Sequence, residues 1–335
     1  MILILSALDD DHVPLVLDRL RLRGADVAWF DPAEFPSQSS LSVEFDARGP
    51  FRKRLQVKDR TIDLDHITAV WLRRPNAVTA DVSVVNPDLR KWVGEIAATG
   101  LQGALGLLDC LWVPAKPQVT RDASDKLGQL TVAAKLGLKV PRTLVTNSPD
   151  AFVDFYSNRD TDIVAKTLGD AMFVGPDGDP LLTYTTVVRR RHALNAQSVR
   201  HAPTIFQAYV PKKLELRVTI VGDRVFAAAI DSQRSRMTKD DWRHYDDELD
   251  SVYAPHSLPA DIEKKLLELL REYGLAFGAI DMVLTPEDEY VFLELNPNGQ
   301  WGWIADLAGW PIDEAIADLL LMGRAAAGTY NVRAF

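Results

Sequence analysis

Two apolar runs near the C-terminus each carry a carboxylate in their middle, and this pair constrains the fold more than any other feature of the chain. Residues 277–284 read Phe-Gly-Ala-Ile-Asp-Met-Val-Leu, and residues 290–296 read Tyr-Val-Phe-Leu-Glu-Leu-Asn. Both have strand character, and Thr285-Pro-Glu-Asp-Glu289 between them is turn chemistry. Side chains alternate faces along a strand, so Phe292, Glu294 and Asn296 are expected on one face. With a four-residue loop at 286–289, Asp281 falls directly opposite Glu294. Facing carboxylates repel and destabilise a strand pair. A bound cation turns that liability into a site, because Mg²⁺ prefers oxygen ligands together with substrate phosphates. Asn296 adds a neutral oxygen. A solvent-facing hairpin would tolerate the same acids, but the flanking Phe, Ile, Val and Leu argue against a fully wet location.

The 335 residues suffice for two or three packed lobes, and a composition of 47% hydrophobic and 25% charged residues is ordinary for a globular protein. A formal net charge of -9 argues against coating nucleic acid, which demands dense Lys and Arg. The single cysteine, Cys110, lies in an apolar stretch and reads as a small buried hydrophobe, so no disulfide framework is available. Met1-Ile-Leu-Ile-Leu5 lacks a basic flank and runs into Asp9-Asp10-Asp11, so it reads as a buried strand, not a signal peptide. No run approaches the roughly 20 apolar residues that span a bilayer. The expectation is a soluble, cytoplasmic protein with no nucleic-acid or membrane partner.

The pattern divides into three sections. Residues 1–118 alternate strands and helices, with a helix from Pro14 to Arg23, a polar β-leaning stretch, and a helix from about Pro87 to Leu108. Residues 119–204 open on a helix entered from Asp122 or Ser124, whose apolar row is Leu127, Leu130 and Ala134. Strands near Val140–Val145 and Ile163–Lys166 follow, then a loop over 169–180. Residues 205–335 are rich in strands, with a long helix at 259–273 and a last amphipathic helix presenting Ile312, Ala315, Ile316, Leu319 and Leu320. In Lys213-Leu-Glu-Leu-Arg-Val-Thr-Ile220, polar and apolar side chains alternate; one polar face on a strand usually meets solvent.

Asp281, then twelve residues, then Glu294-Leu-Asn296-Pro-Asn-Gly resembles the magnesium-binding end of ATP-grasp enzymes. The resemblance implies an α/β (α+β) ATP-grasp fold. It would comprise an N-terminal α/β pre-ATP-grasp lobe (1–118), a central lobe acting as lid (119–204), and a C-terminal strand-rich lobe carrying the metal hairpin (205–335). It implies ATP and two Mg²⁺ ions as cofactors, with Asp281, Glu294 and Asn296 as metal ligands. Lys126 and Lys166 stand where the family places its two nucleotide lysines. A lysine at either position alone is commonly a solvated surface charge, although Lys166 ends an apolar strand and so needs a partner. The segment Gln207, Ala208, Tyr209 and Val210 corresponds to the lobe connection whose backbone holds adenine. Glu215 would accept from the ribose hydroxyls, and Arg217 would stabilise the transferred phosphoryl group or an acyl phosphate. The loop from Gly169 to Gly178 is less dense in glycine than in many members.

Longer strings resemble one branch, the peptide maturases that crosslink ribosomally made precursors into graspetides. They are Trp71-Leu-Arg-Arg-Pro75, Val140-Pro-Arg-Thr-Leu-Val-Thr-Asn147, Phe206-Gln-Ala-Tyr-Val-Pro-Lys212, Arg217-Val-Thr-Ile-Val-Gly-Asp-Arg-Val-Phe226, Asp241-Trp-Arg243 and Phe292-Leu-Glu-Leu-Asn-Pro-Asn-Gly-Gln-Trp-Gly-Trp303. What this branch implies is activation of Asp or Glu side chains of a precursor peptide, leader plus core. Ser or Thr hydroxyls or Lys amines would then close ester or amide macrocycles. Arg73, Arg74 and Arg243 are candidates for holding substrate carboxylates, and Trp242 and Trp301 for shaping the mouth of the site; the plain alternative for each arginine is a structural ion pair. A leader segment would dock on the central lobe. The family also suggests a homodimer, which no sequence pattern establishes. Competing readings are an ATP-grasp ligase acting on small amino acids or a protein terminus, a non-catalytic nucleotide-binding regulator, and a phosphotransferase.

Overall fold

The computed structural model describes residues 1–169, 172–175, 179–234 and 253–331. The chain opens with β1 (Ile2–Leu5), α1 (His12–Leu22), β2 (Val27–Phe30), β3 (Ser39–Asp46), β4 (Gly49–Val57), β5 (Arg60–Asp63), β6 (Ala69–Leu72), α2 (Pro87–Gly106) and β7 (Leu111–Val113). Strands β2-β1-β6-β7 form a parallel sheet. The unbroken apolar runs of β1, β6 and β7 are buried throughout, as strands covered on both faces must be. The polar section expected to lean towards strands is the antiparallel sheet β3-β4-β5. Helix α2 starts where Asn86 accepts from the Leu89 amide and Pro87 presets the first turn.

Two short helices follow, α3 (Pro117–Ala123) and α4 (Lys126–Lys135). The entry to α4 is Asp125, whose carboxylate accepts from the amides of Leu127 and Gly128, not the expected Asp122 or Ser124. Its buried row is Gln129 and Ala133, while Leu127 and Ala134 are exposed. The helix turns this row inward because Gln129 engages the backbone of the last strand of the metal-candidate hairpin. Moreover, Ala123, Ala133 and Leu138 pack with Leu216, Leu266 and Phe292. The boundary drawn at 118/119 therefore does not separate cores: α3 and α4 lie in the core of the C-terminal sheet.

The central sheet, β12-β9-β13-β8, contains β8 (Thr143–Thr146), β9 (Ile163–Lys166), β12 (Thr186–Val187) and β13 (Thr204–Ala208), preceded or joined by α5 (Pro149–Ser157), the hairpin β10 (Met172–Val174) with β11 (Pro180–Leu182), and α6 (Arg190–Leu194). It keeps a small core of its own, where Phe152 stacks on Phe206 with ring centroids 4.3 Å apart.

The C-terminal sheet, β16-β15-β14-β17-β18, is antiparallel: β14 (Leu214–Val221), β15 (Arg224–Ile230), β16 (Tyr253–His256), β17 (Phe277–Leu284) and β18 (Tyr290–Asn296). Helix α7 (Ala260–Tyr273) buries Leu266, Leu269 and Leu270 against one face and ends at Gly274, whose φ of 70° is a left-handed stop. Helices α8 (Gly302–Ala308), α9 (Ile312–Met322) and α10 (Arg324–Tyr330) complete the fold, so the amphipathic helix expected to be last is followed by another. Ile4, Val16 and Trp71 share one core with Phe277, Trp301 and Ile316, which welds the N-terminal and C-terminal sheets together. Among the described residues no helix is long and apolar enough to cross a membrane.

Candidate active site

Strand β14 departs from the expectation of a polar face in solvent. Leu216, Val218 and Ile220 face the core above α7, yet Glu215, Arg217 and Thr219 on the other side are buried as well. Buried charge persists only where it is paired or awaits a ligand.

Asp281 and Glu294 do face each other, but the mechanism differs from simple alternation. The turn spans 285–289, because Leu284 pairs Tyr290; on its own, this register would set Asp281 opposite Leu293. A β-bulge between the Asp281 and Met282 pairings shifts the register by one residue. Phe292 and Leu295 consequently both enter the core, while Leu293, Glu294 and Asn296 line the cleft. Phe292 therefore does not share the face of Glu294 and Asn296, which corrects the period-2 expectation. Bulges re-aim side chains beside functional sites in this way.

The cleft lies between the central and C-terminal sheets and holds roughly 430 Å³. Glu294 lies 3.6 Å from the Lys126 ammonium, which also donates to the Thr167 carbonyl at 3.1 Å. Lys166 Nζ donates to Gln207 Oε1 at 3.1 Å, and Gln207 Nε2 in turn donates to Thr143. Gln207 thus contributes a buried side chain that orients a lysine, beyond its backbone. The amides of Ala208 and Tyr209 are engaged by the carbonyls of Arg142 and Asp162, whereas no backbone acceptor for the Val210 amide is found among the described residues. Glu215 is paired with Lys212 at 3.0 Å.

Arg217 donates from Nη1 to both oxygens of Asp281, at 2.8 and 2.9 Å, and from Nη2 to the Gln300 carbonyl. Asn296 Nδ2 donates to Asp281 and Glu294 at 3.1 and 3.3 Å. Burial pushes the Asp281 carboxyl up, against the pull of Arg217 and reinforced by the charge of Glu294. Glu294 moves the other way: burial opposes its ionisation, but Lys126 and Lys166 outweigh it and hold the group below its usual range. A pair with one member pushed towards protonation is short of positive charge, and a divalent cation supplies it. Among the described residues no cluster holds three His, Cys, Asp or Glu side chains. The donor set of two carboxylates and one amide nevertheless suits Mg²⁺, which usually takes one or two carboxylates and completes its shell with water and phosphate. The residues fit the ion.

Behind the acids lies a group of guanidinium ions. Arg73, at 2% exposure, donates to the Asn298 carbonyl at 2.8 Å and has its Nε 3.5 Å from Asp10, yet Nε and Nη2 have no hydrogen-bond partner among the described residues. Arg74 reaches the same carbonyl at 3.4 Å. Burial, with help from the like charges of Arg74 and Arg217, pulls Arg73 down to about 10. Asp10 is pushed up by burial, but His12 and Arg73 more than compensate and hold it at about 2. Gly299 closes the loop between the two clusters: a Cβ there would meet Ala279 Cβ at 2.4 Å and Arg217 Nη2 at 2.7 Å.

Trp301 does not shape the mouth of the site. Its side chain is fully buried, its ring packs edge-on to His12 at 5.0 Å, and its amide points at His12 Nε2, because the loop after Gly299 dives into the core shared by the two sheets. Trp242 and Arg243 fall outside the described residues. Sequence reasoning missed Asp10, in the turn after β1, and His12, the first residue of α1. It also missed Gln129, whose amide brackets the Leu295 backbone from both sides at 2.7 and 2.9 Å and so clamps the strand beside Glu294. A glutamine on the inward face of an amphipathic helix was the available signal.

Residues 1–120 match the model of the MvdD pre-ATP grasp domain. No curated protein matches the chain. Among solved structures, a RiPP-associated ATP-grasp ligase of Chryseobacterium gregarium, in complex with ADP and a leader and core peptide, is 33% identical, with a TM-score of 0.88 over 96% of this chain and 98% of that one. Macrocyclase MdnC of Microcystis aeruginosa MRC, bound with precursor peptide MdnA, is 30% identical, with a TM-score of 0.83 over 96% and 99% of the two chains. Macrocyclase MdnB of the same organism is 30% identical, with a TM-score of 0.75 over the same shares. With near-complete coverage of both partners at this identity, the chain belongs to the RiPP-associated ATP-grasp ligases.

Proposed function

We propose that this enzyme uses ATP to phosphorylate Asp or Glu side chains of a ribosomal precursor peptide and closes side-chain macrocycles through the resulting acyl phosphates. The observation that carries the reading is the partly buried Asp281–Glu294 pair with Asn296, set in a cleft that Lys126 and Lys166 also line. Support for the peptide substrate comes from relatives bound to leader and core peptide or to a precursor peptide.

In this reading, Asp281, Glu294 and Asn296 hold Mg²⁺, which supplies charge neutralisation at the transferring phosphoryl group when bound. Lys126 and Lys166, each fixed by a carbonyl or amide partner, bind phosphate oxygens. The Val210 amide and neighbouring backbone hold adenine, and Glu215, steadied by Lys212, accepts from the ribose. A substrate carboxylate, oriented by Arg73 and Arg74, attacks the γ-phosphorus, releasing ADP and forming an acyl phosphate. A Ser or Thr hydroxyl or a Lys amine of the same peptide then attacks the acyl carbon. Phosphate leaves with the bond electrons and the nucleophile's proton passes to it or to water, so each ring costs one water overall. Arg217, anchored between Asp281 and Gln300, faces the anion that develops on the way. Residues 1–118 act as substrate-facing lobe and 205–335 as metal lobe; within 119–204 the central sheet with its own core acts as lid with leader docking, while α3 and α4 belong to the metal lobe. A cytoplasmic location suits an ATP-consuming enzyme whose one cysteine is a buried thiol.

Incubation of the precursor with enzyme, ATP and Mg²⁺, followed by mass spectrometry, tests the reading. Loss of one water per ring with release of ADP is expected. A persistent phosphate adduct points instead to a phosphotransferase, turnover of free amino acids to a small-substrate ligase, and nucleotide binding without ADP release to a regulator.

A further inference from the structure

Strand β18 is the last of the C-terminal sheet, so its outer edge lacks a neighbouring strand. Backbone groups on a covered edge must find partners elsewhere in the fold. The Phe292 amide donates to the Lys139 carbonyl at 2.8 Å, in an isolated bridge. Three residues on, a single side chain takes both backbone groups of Leu295. Gln129 Oε1 accepts from the Leu295 amide at 2.9 Å, and Gln129 Nε2 donates to the Leu295 carbonyl at 2.7 Å. A primary amide offers an acceptor and two N–H donors, so Gln129 pairs with β18 as a strand residue would and keeps one donor. Nε2 also donates to the Ala123 carbonyl at the end of α3, again at 2.7 Å. The glutamine is buried, and its three bonds tie α3, α4 and β18 together at one point.

The residues beside this contact are the ones that carry charge. On α4, Gln129 stands one turn after Lys126, and positions i and i+3 lie on the same side of a helix. On β18, Leu295 directly follows Glu294, and the Lys126 ammonium lies 3.6 Å from Glu294 Oε2. Lys126 is partly exposed on a long flexible stem, so its reach depends on where the helix beneath it is held. Ala133 packs α4 on the C-terminal core, but apolar burial is non-directional and does not set how far a helix slides along a strand. The two-sided amide contact does. Lys166 is mounted differently: it belongs to β9 of the central sheet, where Gln207 orients it.

We infer that Gln129 is a positioning residue for the nucleotide site. It locks α4 to the metal strand, so that Lys126 meets phosphate oxygens at a fixed distance from the carboxylates that hold Mg²⁺. The inference rests on the assignment of Lys126 to phosphate and of Glu294 to the metal made above. It makes one lysine a fixture of the metal hairpin and leaves the other to the central sheet.

Calorimetric titration of the full chain with ADP at fixed Mg²⁺ tests this without any peptide substrate. Gln129→Met, apolar and of similar length, is expected to weaken ADP binding about tenfold, equivalent to ~1.4 kcal/mol. Added to Lys126→Met it should cost little more, because both changes remove the same contact. Added to Lys166→Met, on a separate element, its loss should appear in full. Gln129→Asn keeps the amide but is one methylene too short to reach Leu295; the same pattern is expected of it, and it is the variant to read should circular dichroism show the methionine chain unfolded. Wild-type affinity in the folded Gln129 variants overturns the inference. So does full additivity with Lys126→Met, or equal coupling to both lysines, since either marks a general loosening of the fold. A wild-type chain that binds no ADP in the presence of Mg²⁺ overturns the nucleotide assignment itself, and this inference with it.

Discussion

Two charge clusters lie on either side of the loop from Asn296 to Gln300, and they pose the same physical problem with opposite sign. On one side two partly buried carboxylates face each other across β17 and β18. On the other, Arg73, Arg74 and Arg217 gather with Asp10 and Asp281 as their acidic partners. Neither cluster is neutral by itself, and burying unbalanced charge is expensive. The acids relieve the imbalance with the two lysines of the cleft and by drawing Arg217; Arg73 and Arg217 keep N–H groups with no partner among the described residues. One site is built to want cations, the other to want an anion, and they share a guanidinium and a backbone loop. This arrangement suits a reaction that brings Mg-bound phosphate to a substrate carboxylate.

The comparison breaks most sharply at the acids. Glu294→Ala or Asp281→Ala should reduce ADP release by more than the ~10–100-fold typical of outer-shell partners of a metal. Stability should then separate the two positions. Asp281→Asn strands Arg217 in the interior and should cost about 3–5 kcal/mol, whereas Glu294→Gln takes the acid away from Lys126, a lysine that still reaches solvent, and should cost less. Equal losses at both positions, read by denaturant unfolding of the nucleotide-free protein, would contradict an unequal sharing of Arg217.

The next largest effect concerns the shared loop. Gly299→Ala drives a methyl group into Ala279 and Arg217, a form of overpacking that typically costs about 1–3 kcal/mol, and it should lower turnover more than peptide binding. On the arginine side, Arg73→Met leaves Asp10 buried without its cation and should destabilise the fold. Arg74→Met, at a more exposed guanidinium, should chiefly raise KM for peptide; an unchanged KM would remove Arg74 from the substrate site.

The smallest effect is a pH dependence. Asp10 is held at about 2 in the folded chain, below the usual carboxylate range. A depressed carboxyl stabilises the fold fully above its unfolded value and loses that contribution as pH falls through the folded one, here from about pH 4 to 2. Asp10→Asn should flatten the acid limb of stability by about 2 kcal/mol in that window; a parallel acid limb in the variant would show that Asp10 carries no such linkage.

Local patterns made much of this molecule legible. Strand-like runs around Asp281 and Glu294, the turn between them, the buried apolar β1 and the apolar strand ending at Lys166 are all short-range signals, and each is an element of the fold. Long-range packing erased other expectations. The row Leu127, Leu130 and Ala134 looked like a core face, but α4 turns Gln129 inward to serve the Leu295 backbone. Trp301 looked like a surface aromatic near the site, and contact with His12, nearly three hundred residues earlier, buries it.

By itself, then, the order of residues determined that two acids sit on adjacent strands, that lysines precede them on other elements, and that the chain resembles ligases of this type. Tertiary structure alone decided how Glu294 is aimed. Period-2 alternation admits only one face for Phe292 and Glu294, whereas a bulge sends Phe292 to the core and Glu294 to the cleft. A bulge is selected by what packs on both faces of a sheet at once, and that information resides in α4, α7 and the central lobe, not in the strand it bends.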